Sequence, residues 1–462
     1  MRNSGKRVRV VTYEGKSVLV LGMARSGEAV ARLLHKLGAK VTVNDASDKE
    51  ESRRQGDSLK AEGIQVVLGS HPLSLLEGCD LVVKNPGIPY DRPIIEEAVQ
   101  RSIPVITEIE VAYTVTQAPL IGITGSNGKT TTTMLVADML KEANISHVVG
   151  GNVGTPLSDV APDLDRETWV VTELSSFQLK GIRDFAPRIA ALINLYPTHL
   201  DYHHTMNDYI ASKRRIFMNQ HPSDIAVLNI DHPIIADMEK DIAATVWKVS
   251  TEREAVPGVF VADGQIMVKF SSGAPAISIL PVKEIGLRGE HNVENALVSA
   301  AIALCAGASI PAIGKTLRTF RGVEHRLEFV RELHGIQYFN NSKATNPQAT
   351  LRALASFAEP IVCILGGLER GDDLQVLMEP LRRHVKAVIA LGESKQRMAD
   401  LAQQAGVQSI SLVQNIEEAV KEAARLGKPG DVVLLAPAAA SWDMFASFEE
   451  RGRIFKEAVH RL

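Results

Sequence analysis

Three consecutive α/β domains, each a mainly parallel sheet flanked by helices, are the fold class this sequence predicts. Two observations carry the prediction. Short apolar runs alternate with helical patterns through most of the chain, the signature of strand-helix-strand units in parallel sheets. The length of 462 residues also exceeds what one hydrophobic core ordinarily serves.

The first series of elements opens with Ser17–Leu21 as a buried strand, residues 27–37 as a helix and Lys40–Val43 as the next strand; residues 65–68, 81–83 and 104–106 continue it. A second series begins at residues 120–123 and runs through 169–172, 190–193 and 226–229. From 255 to 281 the pattern becomes glycine- and serine-punctuated, which predicts a small β excursion, and helical character returns over 292–307. A third series contains 337–339, 361–365, 387–391 and 431–435. The expected domains are residues 1–111, 112–321 and 322–462.

Composition narrows the function classes. Hydrophobic residues are 45% and charged residues 23%, as in an ordinary globular enzyme. Lys plus Arg (51) against Asp plus Glu (54) leaves a net charge of -3, with no basic field for nucleic acid or anionic lipid. Neither nucleic acid nor membrane is an expected partner. Cys79, Cys305 and Cys363 have neither metal-ligand nor disulfide spacing, which fits a reducing compartment. The basic N-terminus (Arg2, Lys6, Arg7, Arg9) leads into polar Thr12-Tyr13-Glu14 rather than an apolar segment, and the uncharged stretch 296–314 is rich in small residues, as in a core helix. A cytoplasmic monomer is expected.

Gly22-Met-Ala-Arg-Ser-Gly27 follows a strand and opens a helix, and Asp45 ends the next strand. Glycines there let phosphate approach a helix N-terminus, and the acid reaches a ribose. Ala24 stands where the fingerprint has its middle glycine, so a nicotinamide cofactor, another nucleotide and a plain strand-helix turn all remain open. Lys84-Asn-Pro-Gly-Ile-Pro89 is a rigid turn that caps the same region or merely punctuates the chain.

Gly125-Ser-Asn-Gly-Lys-Thr-Thr131 lies between a strand and a helix. In a phosphate loop, backbone N–H groups cradle phosphate oxygens, Lys129 neutralises the β- and γ-phosphates and Thr130 ligates Mg²⁺. Generic spacing asks for glycine at Ile123; here the inner glycine is Gly125. A lysine capping a surface turn is the bland alternative, which the threonines that follow disfavour. Glu173, directly after the 169–172 strand, faces the ligand crevice of such a domain and supplies a hard oxygen for Mg²⁺. His199 also follows a strand, although a lone histidine is more often structural, and Lys213 reads as part of a solvated basic helix.

Thr124-Gly-Ser-Asn-Gly-Lys-Thr130 resembles the ATP loop of the Mur ligases, the amide-forming enzymes that build the peptidoglycan stem peptide. Folylpolyglutamate synthases carry a similar loop. The resemblance implies Rossmann-like first and third domains around a P-loop-type central one. It assigns Arg25, Ser26, Asp45, Gly87, Asn152 and His199 to a uridine-nucleotide substrate. Gly125, Ser126, Asn127, Gly128, Lys129, Thr130, Thr131, Asn292, Asn295, Arg326 and Asn341 go to ATP, a hinge ion pair being the plainer role for Arg326. Lys129, Glu173, His199 and Lys213 are implied as catalytic. Two Mg²⁺ sites are implied, held by Thr130, Glu173, His199 and Lys213, the lysine as its CO₂ adduct, a carbamate.

Within the family, Asn341-Ser-Lys-Ala-Thr-Asn346 and Ala436-Pro-Ala-Ala-Ala-Ser-Trp-Asp-Met-Phe-Ala-Ser-Phe-Glu-Glu-Arg-Gly452 resemble the members that add D-glutamate. Lys343, Thr345, Arg370, Ser441 and Phe448 are thereby assigned to that amino acid. The family often has aspartate at Asn341, and diaminopimelate- or lysine-adding members usually carry Asp-Asn-Pro-Arg, whose nearest match here is Thr345-Asn-Pro-Gln348. The implied substrates are ATP, UDP-N-acetylmuramoyl-L-alanine and D-glutamate, joined through an acyl phosphate, with closure of the third domain completing the site. A sister ligase, a folylpolyglutamate synthase-like ligase, a nicotinamide-dependent oxidoreductase and a nucleotide-binding regulator are the competing readings.

Overall fold

A computed structural model describes residues 12–152, 154–287 and 289–462. The basic N-terminal stretch and Val153 of the 151–154 run lie outside them. The chain divides into two compact units, residues 1–320 and 321–462.

The first unit carries two sheets. β1 (Ser17–Leu21), β2 (Lys40–Asp45), β3 (Gln65–Leu68), β4 (Leu81–Lys84) and β5 (Val105–Ile106) form a parallel sheet in the order β3-β2-β1-β4-β5. Its order reverses between β1 and β4, so the loops after those strands flank the crevice where open α/β sheets take ligands. Gly22–Gly27 and the loop after Lys84 are those loops.

The second sheet contains β6 (Leu120–Thr124), β7 (His147–Gly151), β8 (Trp169–Glu173), β9 (Ile189–Leu192), β10 (Ile225–Asn229), β11 (Thr245–Ser250), β12 (Gly258–Ala262), β13 (Gln265–Lys269) and β14 (Ile277–Pro281). The order is β14-β13-β12-β11-β10-β9-β6-β8-β7. Strands β6 to β12 pair in parallel, whereas β12-β13 and β13-β14 are antiparallel. The expected β excursion is thus an antiparallel extension of the central sheet. Its β12-β13 turn uses Asp263 and Gly264, both at positive φ (49° and 69°), which suits the right-handed twist of the flanking strands. Residues 120–124 are buried throughout because helices cover both faces of a parallel strand.

The second unit holds β15 (Glu328–Leu333), β16 (Ile336–Asn340), β17 (Ile361–Gly366), β18 (Val385–Leu391), β19 (Ser409–Leu412) and β20 (Val432–Leu435), in the order β15-β16-β20-β17-β18-β19. All pairings are parallel except β15-β16. Its helices follow the 3.6-residue rule: Ile416–Leu426 buries Ile416, Ala419, Val420 and Ala423 on one face. Asn415 caps that helix by accepting from the Glu418 N–H at 2.8 Å, a bond worth about 1 kcal/mol. The C-terminal ends of neighbouring β16, β20 and β17 lead into the segments beginning at Asn341, Ala436 and Gly367.

Candidate functional site

In the first sheet the Gly22 N–H donates to the Asn44 carbonyl at 2.8 Å and the Met23 N–H to Asp45 Oδ2 at 2.7 Å. Asp45 therefore shapes the glycine turn itself. A Cβ at Gly27 would lie 2.0 Å from the Gly22 carbonyl oxygen, so only glycine lets the helix Arg25–Lys36 start this close to the strand end. Across the crevice, Asn85 Nδ2 donates to Ser26 Oγ at 3.4 Å and the Gly87 N–H to Asn85 Oδ1 at 3.2 Å. Ser26, Asp45 and Gly87 thus belong to one pair of facing loops.

The loop after β6 is bound to the strand end beside it. Ser126 N–H donates to the Asn194 carbonyl (3.1 Å) and Asn127 N–H to Asn194 Oδ1 (2.9 Å), so two of the loop's amides are already committed. The helix Lys129–Glu142 begins next, its first-turn amides and dipole facing the loop. Gly128 has φ of 79°, and a Cβ there would sit 2.1 Å from Asn295 Oδ1. Asn295 donates in turn to Asn292 Oδ1 at 3.0 Å, so the structure brings both asparagines to the loop. Lys129 Nζ folds onto the Gly125 and Ser126 carbonyls (2.9 and 3.0 Å).

Glu173, buried at the end of β8, accepts from Thr130 Oγ1 and from Asn152 Nδ2, each at 2.7 Å. Hydroxyl and carboxylate oxygens at a phosphate loop are the donor set a hard divalent cation takes, so these residues fit Mg²⁺. Lys213, read from sequence as solvated, is only 1% exposed. Its Nζ donates to Thr124 Oγ1 (3.1 Å) and to the Gly125 carbonyl (2.8 Å). Burial, aided by the Lys129 charge and opposed by Glu173, holds its ammonium far below the usual lysine range. A neutral amine is the form that takes up CO₂, so its chemistry fits the carbamate expected of it. His199 opens a short helix at φ of 56° and meets the Phe177 ring at 5.0 Å. Burial first, then the Lys129 and Lys213 charges, lower its pKa and favour the neutral, ligand-competent imidazole.

In the second unit, the Lys343 ammonium lies over the Phe448 ring at 5.3 Å, beside a 630 Å³ cleft lined also by His325, Glu449 and Arg453. Arg370 reaches the Thr345 carbonyl (3.5 Å), and an isolated bridge pairs Leu368 with Ala440, next to Ser441. Lys343 and Phe448, and Thr345 and Arg370, are therefore contacting pairs, while Ser441 is buried at the turn after β20. Asn341 is buried too, and its Oδ1 accepts the Leu327 N–H at 3.2 Å, so this amide braces the backbone after Arg326. Glu324, His325 and Glu328 bring possible ligand atoms within 4.8 Å of one another, but Lys456 pairs with both carboxylates at 2.5 and 2.9 Å.

Sequence reasoning passed over several groups here. Asn194 stands two residues past the end of β9, close to the kind of strand-end position that singled out Glu173, and a search of strand ends would have found it. Ser176, His203 and Asp208 form a chain in which His203 Nε2 meets Ser176 Oγ at 2.9 Å and Nδ1 meets Asp208 Oδ2 at 2.8 Å. It ties the segment after Glu173 to the one carrying His199 and Lys213, and no spacing announces it. Arg451, 1% exposed, donates to Ser342 Oγ, the Ser342 carbonyl and the Ala439 carbonyl at 2.9, 2.9 and 3.1 Å. It clamps the Lys343 turn to the Ser441 turn.

Fold and site together define a nucleotide-using enzyme of the phosphate-loop class, and family models place it further. Residues 123–303 match the Mur ligase middle domain, 325–439 the Mur ligase glutamate ligase domain and 16–107 the MurD-like N-terminal domain. The chain belongs to the Mur ligase family. It is 46% identical to the UDP-N-acetylmuramoylalanine–D-glutamate ligase of Geobacillus sp. (strain WCH70), over 97% of this chain and 98% of that one. To the enzyme of the same name from Geobacillus kaustophilus (strain HTA426) it is 47% identical, with the same coverage. Among solved structures it resembles the UDP-N-acetylmuramate-alanine ligase MurC of Thermotoga maritima (TM-score 0.55, 19% identity, 96% of this chain and 99% of that one). It also resembles MurF of Acinetobacter baumannii (TM-score 0.52, 16% identity, 96% and 91%). These two establish the three-domain α/β fold. No helix among the described residues is long and apolar enough to cross a membrane.

Proposed function

We propose that this chain joins D-glutamate to UDP-N-acetylmuramoyl-L-alanine at the expense of ATP, in the cytoplasmic synthesis of peptidoglycan precursors. The observation that carries the reading is the near-full-length identity of 46–47% to enzymes bearing that name. ATP's γ-phosphoryl passes to the substrate carboxylate, forming an acyl phosphate and releasing ADP. The D-glutamate amine then attacks the acyl carbon, a proton leaves the nitrogen, and phosphate departs as the amide forms. Phosphoryl transfer asks a protein chiefly for positioning and charge neutralisation. No nucleophilic side chain is needed.

In this reading the helix Lys129–Glu142 and Lys129 bind the phosphates, and Asn292 and Asn295 serve the adenine end. Thr130 and Glu173 would hold one Mg²⁺, and His199 with carbamylated Lys213 a second; the cation supplies charge neutralisation at the transferring phosphoryl group. The facing loops of Arg25, Ser26, Asp45 and Gly87, with Asn152, take the uridine nucleotide. Lys343, Thr345, Arg370, Ser441 and Phe448 take D-glutamate, Arg370 pairing with one of its carboxylates. Arg326 and Asn341 contribute to ATP binding, and the domains divide near residues 111 and 321. Lys129→Ala tests the assignment: it should abolish ADP formation with both substrates present, and substantial remaining turnover would overturn it.

A further inference from the structure

Lys84 is among the most deeply buried large side chains of the first unit, 1% exposed, and no carboxylate pairs with it among the described residues. Its Nζ donates instead to the carbonyls of Asn85 (3.3 Å), Pro86 (3.1 Å) and Ile88 (2.9 Å), and lies 3.2 Å from Tyr202 Oη. The Tyr90 ring covers it, 4.8 Å from the ring centre. Burial, with the neighbouring Lys180 charge, pulls the ammonium down to about 7. A buried cation spent on carbonyls of its own loop is costly, and a solvent-exposed turn would not need it.

The nest joins two segments far apart in sequence. On one side the turn 85–88 carries the Asn85 side chain, which contacts Ser26 at the start of the first helix, across the crevice of the first sheet. On the other side the Tyr202 hydroxyl donates to Pro86 or Ile88 (3.1 and 3.3 Å). Tyr202 belongs to the short helix that opens at His199, and both residues pack on Phe177, at 4.4 and 5.0 Å between ring centres.

We propose that Lys84 is a positioning residue for the uridine-nucleotide substrate: by gathering the 85–88 carbonyls against Tyr202, it fixes the Asn85–Gly87 turn relative to His199. The proposal rests on the functional reading above. Removing the ammonium would release three carbonyls and let the turn drift from Ser26, which weakens nucleotide binding and leaves the ATP loop alone.

Lys84→Met, which keeps the length of the stem, and Tyr202→Phe are compared with the intact chain in two assays. Calorimetry follows UDP-N-acetylmuramoyl-L-alanine and, separately, ADP; steady-state kinetics gives KM for each substrate and kcat. Lys84→Met should raise Kd and KM for the uridine substrate roughly tenfold to a hundredfold, with ADP affinity and KM for ATP within about twofold. Tyr202→Phe should shift the same constants in the same direction by less. Unchanged uridine-substrate binding in Lys84→Met, or equal loss of both nucleotides, would overturn the proposal. If Lys84→Met does not fold, Tyr202→Phe decides by the same criterion. Failure of the intact chain to bind the uridine substrate would instead count against the functional reading.

Discussion

The Thr130 hydroxyl donates to the Glu173 carboxylate across 2.7 Å, joining the first turn of the phosphate-loop helix to the end of β8. Residues 43 positions apart thus present two hard oxygens at one point. Glu173→Gln preserves the shape and the Thr130 bond but supplies a neutral, weaker ligand. Turnover should fall at least ~100-fold and the Mg²⁺ concentration for half-maximal rate should rise. A Mg²⁺ titration of ADP release reads both, and an unchanged titration would remove Glu173 from the metal set.

Burial holds the Lys213 pKa well below the usual lysine range and so favours the neutral amine, the form that should react with CO₂. A sample exchanged with ¹³C-bicarbonate should show a carbamate carbon signal that Lys213→Ala lacks. Activity of the intact chain should drop when CO₂ is stripped and return when bicarbonate is restored. Indifference to bicarbonate together with no carbamate signal would contradict the assignment.

Glu108 is fully enclosed and accepts the Ser158 N–H at 2.5 Å, and burial raises its carboxyl to about 7. Its folded pKa therefore lies above the ordinary value of 4.5, so the folded chain holds a proton that the unfolded chain has released. The stabilisation is complete below the unfolded pKa and is lost as pH rises through 7. Glu108→Gln keeps the acceptor and removes the titration. Between pH 5 and 8 the parent should lose on the order of 2–3 kcal/mol more stability than the variant, measured by denaturant unfolding.

Asn341→Asp restores a carboxylate that the family often has. The Leu327 N–H keeps its acceptor, so folding should be unaffected. If this position contacts the ATP ribose, the charge-assisted bond should lower KM for ATP about fivefold. An unchanged KM would place the ATP contact elsewhere.

The sheets were legible because buried parallel strands are continuous apolar runs, as in Ile361–Leu365 or Leu120–Ile123. Strands that escaped notice break that rule. β15 reads Glu-Phe-Val-Arg-Glu-Leu and lies at a sheet edge, and β19, Ser-Ile-Ser-Leu, is a short edge strand with partial exposure. The phosphate loop and Glu173 could be seen from strand-loop-helix order alone. Lys213 could not, because burial of a lysine is decided by what packs above it, here the Thr124 hydroxyl, the Gly125 carbonyl and the Tyr209 ring. Lys84, His203 and Arg451 were hidden for a related reason: each joins its own segment to one far away in sequence, through Tyr202, Ser176 and Ser342 respectively, and no periodicity encodes a contact of that kind.

The central claim is most directly tested by phosphate release from ATP with UDP-N-acetylmuramoyl-L-alanine and a panel of D- and L-amino acids. The account predicts release that requires the uridine substrate and D-glutamate together, with L-glutamate, L-lysine and diaminopimelate near background. Turnover with L-lysine or diaminopimelate but not D-glutamate would contradict it.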